Sequence, residues 1–251
     1  MVEATYFTSV GKVRKTNQDF VKTFKNRNGI IMGVVCDGIG GHQGGDVASN
    51  MAVNHLGHNF MMTDFCEAQV AQSWLSVQLK AENDNILRTA TKFADLNGMG
   101  TTIVLAIIFA DQALIAHLGD SRAYLYRDRQ LTQLTEDHSL VNELLKMGQI
   151  TEEEAKNHPQ KNIITQTLGV SSTVDPEFSI LEVHTSDIFL LCTDGLTNSL
   201  TDEQIQTILV PDGHSLKDKC KKLIDEANRL GGGDNICLLY TSDAADDAPR
   251  V

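Results

Sequence analysis

Four aspartates each stand next to a glycine at one end of an apolar run: Asp37, Asp120, Asp194 and Asp234. Any one Asp-Gly pair alone indicates an ordinary turn. Four of them, each at the edge of a strand-like segment, indicate convergence on one site. Carboxylates without a Cys-x-x-Cys pair or clustered histidines favour the hard cations Mg²⁺ and Mn²⁺. Such carboxylates would repel each other unless divalent ions neutralised them.

A site of this kind suits the hydrolysis of a phosphate ester. Two divalent ions that share a water lower its pKa from about 15.7 towards neutrality, which makes hydroxide available as the nucleophile. Arg14, in the polar loop 11–19, can then hold phosphate oxygens in bidentate fashion. Two other phosphate chemistries lack their motifs. No cysteine is followed six residues later by Arg, and Asp46 stands where a phosphate-binding P-loop needs Lys.

The elements that would carry these residues occur in blocks of strands and blocks of helices. Alternation and short apolar runs predict strands near 5–10, 20–24, 30–36, 101–109, 113–118, 121–127, 130–134, 178–183, 188–192 and 236–240. Helical spacing predicts helices over 46–60, 65–93, 201–209 and 215–230. Short links at 28–29, 110–111, 119–120 and 128–129 predict antiparallel neighbours. The fold class is therefore α+β with antiparallel sheets.

Two segments depart from this pattern. Residues 135–168 are polar and helical in character, with a capping box at Thr151 and Glu154, and they interrupt the strands as a mobile flap would. Residues 241–251 have no strand pattern and shift to Ala, Asp, Ser and Pro. We interpret them as a foreign or frame-shifted tail, the alternative being an ordinary disordered terminus. The chain is thus predicted to be one catalytic domain, 1–240, followed by an atypical and non-native tail, 241–251.

Composition excludes several classes of partner. A net charge of −12 over 251 residues argues against nucleic acid and against anionic membrane surfaces, since both need a basic face. The N-terminus has no signal-peptide pattern, and no apolar run reaches the length of a membrane span. Five scattered cysteines indicate reduced thiols. These features predict a cytoplasmic protein.

Six short motifs stand in an order that resembles the protein phosphatase 2C family of metal-dependent Ser/Thr protein phosphatases. Each motif alone is weak, but the six together run from about residue 9 to residue 239, and the Gly-Gly-His form resembles the bacterial branch. They are Gly11-x-x-Arg14-x-x-Asn17-x-Asp19, Cys36-Asp37-Gly38-x-Gly40-Gly41, Gly100-Thr101-Thr102, Gly119-Asp120-Ser121, Thr193-Asp194-Gly195 and Gly233-Asp234-Asn235.

The resemblance implies a four-layer α-β-β-α sandwich with its metals in a cleft at one edge of the two sheets. It implies two Mn²⁺ or Mg²⁺ ions, and a third, weaker ion in bacterial members. Carried over by position, Asp37 bridges two ions and Gly38 offers its carbonyl. Asp194 and Asp234 complete the shell of one ion, and Asp120 with Asp194 holds the third.

The same resemblance assigns roles beyond the metal ligands. Arg14 matches the phosphate-binding arginine, and Asp19 would orient water held by the metals. Asn235 would support the Asp234 loop. The segment 135–168 lies where the family has its flap, which would influence substrate access.

The sequence departs from the family at three places. Ile39 replaces a histidine proposed as general acid in animal members, so that role has no assigned residue, and His42 is the remaining candidate. Gln18 replaces a glutamate, which would weaken a contact to metal-held water. The tail replaces the end of the last strand, which predicts a loss of pairing after Asp234.

The function predicted from these features is hydrolysis of phosphoserine and phosphothreonine in proteins, with a bacterial Ser/Thr kinase among the partners and a monomeric state. An inactive relative that binds phosphoproteins as a regulatory module is one alternative. Loss of metal-site carboxylates would be its sign, and all are present. A metal-dependent phosphodiesterase also fits the carboxylates, but not the ordered motifs.

Overall fold

The structure, a computed structural model, describes residues 2–210 and 215–243, without the side chains of 2, 41–43, 156, 240, 242 and 243. Two antiparallel sheets form its centre. One has the strand order β1-β11-β10-β7-β8, and the other has the order β2-β3-β5-β6-β9 with the short β4 paired to β3. The strands are β1 Val2–Ser9, β2 Asp19–Lys25, β3 Ile31–Ile39, β4 Gly100–Thr101, β5 Ile103–Ile108, β6 Gln112–Leu118, β7 Arg122–Arg127, β8 Gln130–Gln133, β9 Glu177–Glu182, β10 Ile188–Cys192 and β11 Ile236–Asp243.

Helices cover the outer faces of both sheets. The helices are α1 Gly41–Met61, α2 Ala68–Lys92, α3 Leu140–Lys146, α4 Glu152–Lys156, α5 Asp194–Thr197, α6 Asp202–Leu209 and α7 Leu216–Arg229, with a 3-10 turn at Ala94–Leu96. Of these, α1 and α2 cover one sheet and α5–α7 the other, whereas α3 and α4 lie in the segment between β8 and β9. One core lies between α1, α2 and the six-stranded sheet, a second between α5–α7 and the five-stranded sheet, and a third between the sheets. The four-layer α-β-β-α sandwich implied by the resemblance is confirmed.

The strand β3 shows why its sequence is a continuous apolar run. Val34 and Cys36 face the core under α1 and α2, whereas Val35 faces the core between the sheets. Successive side chains of a strand point to opposite faces, and here both faces are covered. The predicted hairpin at 28–29 is confirmed, because β2 and β3 pair antiparallel.

Several predicted boundaries were wrong: β1 begins three residues before its predicted start, and β3 ends three residues after its predicted end. The helix α1 begins at Gly41, five residues before the predicted start, because the glycine-rich segment continues directly into the first turn. The last strand extends to Asp243, because the β1 backbone offers partners along the whole ladder from Ser9 to Val2. The predicted loss of pairing directly after Asp234 is thus not seen. Residues 244–251, the rest of the predicted tail, lie outside the described residues.

A third prediction failed at the link 119–120. Its shortness predicted antiparallel neighbours, but β6 lies in the six-stranded sheet and β7 in the five-stranded one. Gly119 has φ +114°, a backbone conformation that side chains disfavour, and a Cβ there would lie 2.6 Å from Thr102 Cγ2. The chain therefore crosses between sheets within one tight turn, and Asp120 stands at the crossing.

The predicted flap is two short helices on a closed loop. The helix α4 begins with the predicted capping box of Thr151 and Glu154. The loop is closed at its base by a bridge between Ser139 and Ile164 and by another between Thr101 and Leu168.

Candidate metal centre and active site

Asp19 and Asp37 face each other at the end of the β2–β3 ladder. Burial, opposed by a hydrogen bond from Thr193 Oγ1 to Asp19 Oδ2 (2.9 Å), raises the pKa of Asp19 to about 8. Burial, and then the charge of Asp19, raises the pKa of Asp37 well above its usual value. Two facing carboxyls of this kind cannot both ionise without a counter-charge.

The backbone of Asp37 is held by two threonines. Its N–H donates to Thr102 Oγ1 (3.0 Å), and its carbonyl accepts from the N–H of Thr102 (2.9 Å) and from Thr101 Oγ1 (2.8 Å). The Thr102 hydroxyl also bonds Ser121 Oγ (2.7 Å), next to Asp120. Gly38 packs so closely under α1 that an added Cβ would lie 2.1 Å from the carbonyl oxygen of Gly45.

Asp194 is the first residue of α5, immediately after β10. Asn198 Nδ2 donates to Asp194 Oδ2 (2.9 Å). Asp194 Oδ1 is buried and has no hydrogen-bond partner among the described residues. Burial, and then the charge of Asp234, raises the pKa of Asp194. One oxygen is therefore oriented by an amide, and the other is left for a ligand.

Asp234 lies between the last glycines and β11. Its Oδ1 accepts from the N–H of Asn235 (2.8 Å), and its Oδ2 accepts from Arg14 Nη2 (2.7 Å). Asn235 is buried, and its amide binds the carbonyls of Val10 and Thr16 (both 2.9 Å) as well as the N–H of Gln18 (2.9 Å). Asn235 therefore closes the 11–19 loop around Asp234, in agreement with the role expected from its position.

Asp120 is the last of the clustered carboxylates and lies in the turn where the chain crosses from β6 in one sheet to β7 in the other. Its Oδ1 is buried without a hydrogen-bond partner in the described part of the chain. Burial, and then the charges of Asp194 and Asp137, raises the pKa of Asp120 to about 7. Gln18, the departure from the family pattern, turns its amide Nε2 towards the carbonyl of Gly40 (3.5 Å).

The arrangement fits divalent cations. Besides burial, the charges of Asp19, Asp120, Asp194 and Asp234 all raise the pKa of Asp37. Arg14 contacts this cluster through its hydrogen bond to Asp234. The donors are all oxygen atoms, and two of them are buried without partners. Hard cations prefer oxygen ligands, and a divalent charge would relieve the repulsion.

A cavity of about 580 Å³ opens beside these carboxylates, between the flap and α5–α6. Its walls include Asp120, Asp194, Arg122, Asn142, Lys161 and Asp202. Arg122 forms a bidentate pair with Asp137 at the base of the flap (2.8 and 2.7 Å). A substrate in this cavity would contact flap residues and the carboxylates at once.

The structure gathers the seven sequence-predicted residues at one edge of the sandwich: Arg14, Asp19, Asp37, Gly38, Asp120, Asp194 and Asp234. The side chain of His42, the candidate general acid, lies outside the described residues. Sequence reasoning missed Asn198 and the Thr102–Ser121 pair. Asn198 is four residues after Asp194, the spacing at which two side chains meet on a helix, so its position was a usable signal. Thr102 and Ser121 both stand in the quoted motifs, but no pattern in the sequence indicated that their hydroxyls form a hydrogen bond.

Together these features define a class of protein: an α-β-β-α sandwich with a carboxylate site for divalent cations at the edge of its sheets. Within the described ranges, 2–210 and 215–243, no helix is both long enough and apolar enough to cross a membrane. The family model of protein phosphatase 2C matches residues 9–225, and the chain belongs to that family.

Relatives and solved structures agree with this assignment. Protein phosphatase PhpP of Streptococcus pneumoniae is 42% identical over 247 residues, which is 98% of this chain and 100% of PhpP. Serine/threonine phosphatase stp of Listeria monocytogenes is 42% identical over 95% of this chain and 94% of its own. The S. agalactiae serine/threonine phosphatase superposes with a TM-score of 0.93 at 41% identity, covering 96% of this chain and 99% of that one. The catalytic domain of PstP, solved with two manganese ions, has a TM-score of 0.84 at 31% identity, covering 96% and 97%.

Proposed function

We propose that this chain hydrolyses phosphoserine and phosphothreonine in proteins, with two Mn²⁺ or Mg²⁺ ions and a weaker third. The observation that carries the proposal is a set of buried carboxylates with raised pKa values. Two of their oxygens, on Asp120 and Asp194, have no hydrogen-bond partner within the described part of the chain. Membership of the protein phosphatase 2C family supports the reaction and the substrate class. The proposed partners are proteins that carry phosphoserine or phosphothreonine, including a bacterial Ser/Thr kinase. The enzyme is proposed to be monomeric and cytoplasmic.

The carboxylates would hold the cations. Asp37 is proposed to bridge two ions with the Gly38 carbonyl beside it, while Asp194 and Asp234 complete one shell. Asp120 with Asp194 is proposed to hold the third. When bound, the ions would supply a nucleophilic water at neutral pH and would neutralise charge that develops on phosphoryl oxygens.

The remaining steps belong to side chains of the chain itself. Asp19, held by the Thr193 hydroxyl, accepts a hydrogen bond from the attacking water and so fixes its direction. Arg14 is half-exposed beside Asp234, within reach of solvent, and binds the phosphate oxygens. The flap over the cavity admits the phosphorylated segment of the substrate.

The direct test measures phosphate release from a phosphothreonine peptide with Mn²⁺ and then with excess EDTA. We expect release with Mn²⁺ and none with EDTA, since the chain's own carboxylates cannot activate water alone. A phosphate bis-ester is assayed beside the peptide. Faster hydrolysis of the bis-ester would indicate a phosphodiesterase, and silence on both substrates with Mn²⁺ still bound would indicate a phosphoprotein-binding module.

Replacement of Arg14 separates phosphate binding from metal binding. We expect Arg14→Ala to raise KM for the phosphopeptide by about tenfold or more, because a charge-assisted bidentate contact contributes about 1.5–3 kcal/mol. Arg14→Lys keeps the charge but loses the fork, so it should recover only part of the effect. Steady-state kinetics at saturating Mn²⁺ give the numbers. An unchanged KM in Arg14→Ala would remove Arg14 from the phosphate site.

A further inference from the structure

A second group of ligand-type side chains lies beside the Asp120 turn. His117, His138 and Glu177 each offer one atom within 4.8 Å of the others. The two imidazole rings are buried and stacked with centroids 4.7 Å apart, and Glu177 is exposed. Two histidines and a carboxylate at this separation are the usual donors of a transition-metal site.

The hydrogen bonds around the rings argue against a metal. His117 Nε2 lies 2.8 Å from the carbonyl oxygen of Glu136, which can only accept, so this nitrogen carries a proton. Burial lowers the pKa of His117, which keeps the ring neutral. His138 Nδ1 accepts from the N–H of Gly119 (3.1 Å), so in a neutral ring the proton of His138 is on Nε2.

The two Nε2 atoms are also the ones nearest Glu177, at 4.0 Å for His117 and 3.3 Å for His138. A metal ligand must present a lone pair, and both of these nitrogens hold protons. The group is therefore a set of hydrogen-bonding side chains. Glu177 Oε1 lies 3.3 Å from His138 Nε2, which is buried and has no hydrogen-bond partner among the described residues.

His138 binds both polar groups of Gly119. The Gly119 N–H donates to the His138 ring, and the Gly119 carbonyl accepts from the His138 N–H (3.0 Å). Gly119 is the residue at the crossing between the sheets, directly before Asp120. Glycine adopts the positive φ of this turn without strain. The two bonds from His138 hold the peptide directly before Asp120 and so help to orient its carboxylate.

The same residue also meets both ends of the flap. The His138 carbonyl accepts from the N–H of Thr165 (2.8 Å), and the next residue, Ser139, bridges Ile164. The side chain and the backbone of His138 thus link the base of the flap to the Asp120 turn.

We propose that His138 is a positioning residue for Asp120: through Gly119 it orients the carboxylate for a divalent cation and ties that cation site to the flap. The proposal rests on the proposed function, in which Asp120 holds the weaker ion. His138 itself contacts neither substrate nor ion in this account.

A matched pair of amides tests it. In His138→Asn the side-chain oxygen stands about where Nδ1 stands and can accept from Gly119, whereas in His138→Gln the amide reaches about as far as Nε2 and cannot. Mn²⁺ binding to the whole chain is measured from the EPR signal of free Mn²⁺. The Asp120→Asn variant identifies the sites to which Asp120 contributes, because those are the sites that it weakens. We expect His138→Gln to lower the Mn²⁺ affinity of the Asp120-dependent sites by about tenfold. The Mn²⁺ affinity of these sites in His138→Asn should stay within about threefold of the wild-type affinity.

The tight class of Mn²⁺ sites should not change in either variant. The melting temperature of His138→Gln should fall by a few degrees, because the buried Gly119 N–H loses its acceptor, whereas that of His138→Asn should stay close to wild type. Equal weakening by Asn and Gln, no weakening by Gln, or a parallel loss from both classes of sites would each overturn the proposal. A wild-type chain without Mn²⁺-dependent phosphate release would instead overturn the proposed function, so the two failures are distinguishable.

The tautomer of the His138 ring can be measured on the wild-type chain, without any variant. The ¹⁵N shifts of the His138 ring should show the proton on Nε2. A proton on Nδ1, or a zinc stoichiometry that falls by one in His117→Ala but not in Asp37→Asn, would overturn the proposal.

Discussion

Asp37→Asn is expected to lower Mn²⁺-supported kcat/KM by about a thousandfold or more and, at the same time, to raise the melting temperature of the metal-free protein. The loss follows because Asp37 is the proposed bridge between ions, whose charge stabilisation is worth several kcal/mol. The gain follows because burial and neighbouring carboxylates raise the pKa of Asp37, so its charge opposes folding when no cation is present. A neutral amide of the same shape removes that cost.

The opposite signs make the result hard to confuse with misfolding. Thermal unfolding in EDTA should shift upward by about 4–8 °C, which corresponds to about 2 kcal/mol in a domain of this size. The matched control is Asp225→Asn on the exposed face of α7, which makes the same change of charge and should alter neither quantity. Activity of Asp37→Asn within tenfold of wild type would refute the bridging role.

The second large effect is a reversal of the pH dependence of stability by Mn²⁺. Asp19 and Asp120 have pKa values of about 8 and about 7 in the folded chain, against about 3.9 for an unfolded aspartate. Between pH 4 and 8 the folded state therefore binds more protons than the unfolded state, so the free energy of unfolding falls as pH rises. The penalty is complete above about pH 8 and is relieved on acidification.

We expect the melting temperature in EDTA to fall by about 10 °C from pH 5 to pH 8, from a loss of about 3 kcal/mol or more. With saturating Mn²⁺ the slope should flatten or reverse, because metal binding needs deprotonated ligands and strengthens as pH rises. Calorimetry at several pH values gives both curves. Asp19→Asn should flatten the EDTA curve, and Asp225→Asn should leave it unchanged; parallel curves with and without Mn²⁺ would contradict the assignment of these carboxylates.

Much of the fold could be predicted from local pattern. The strand β3 was predicted because its run of apolar residues ends at Asp37, and the capping box of α4 because its two residues are three apart. The errors arose where a long-range partner decides. The strand β11 extends to Asp243 because β1 lies beside it, although the local sequence has no strand pattern there.

The sequence by itself determined the chemistry of the site: four Asp-Gly pairs at strand edges, an arginine in a polar loop, and oxygen donors that favour hard cations. These features depend on residue type and on spacing over a few positions, so they can be recognised from a short stretch of the chain. Only the tertiary structure decided that the turn 119–120 crosses between the sheets, that the Thr102 hydroxyl meets Ser121, and that His138 holds Gly119. Those contacts depend on how two twisted sheets and a flap meet at one edge. The residues that form them are far apart in the chain, so no local sequence pattern predicts the contact.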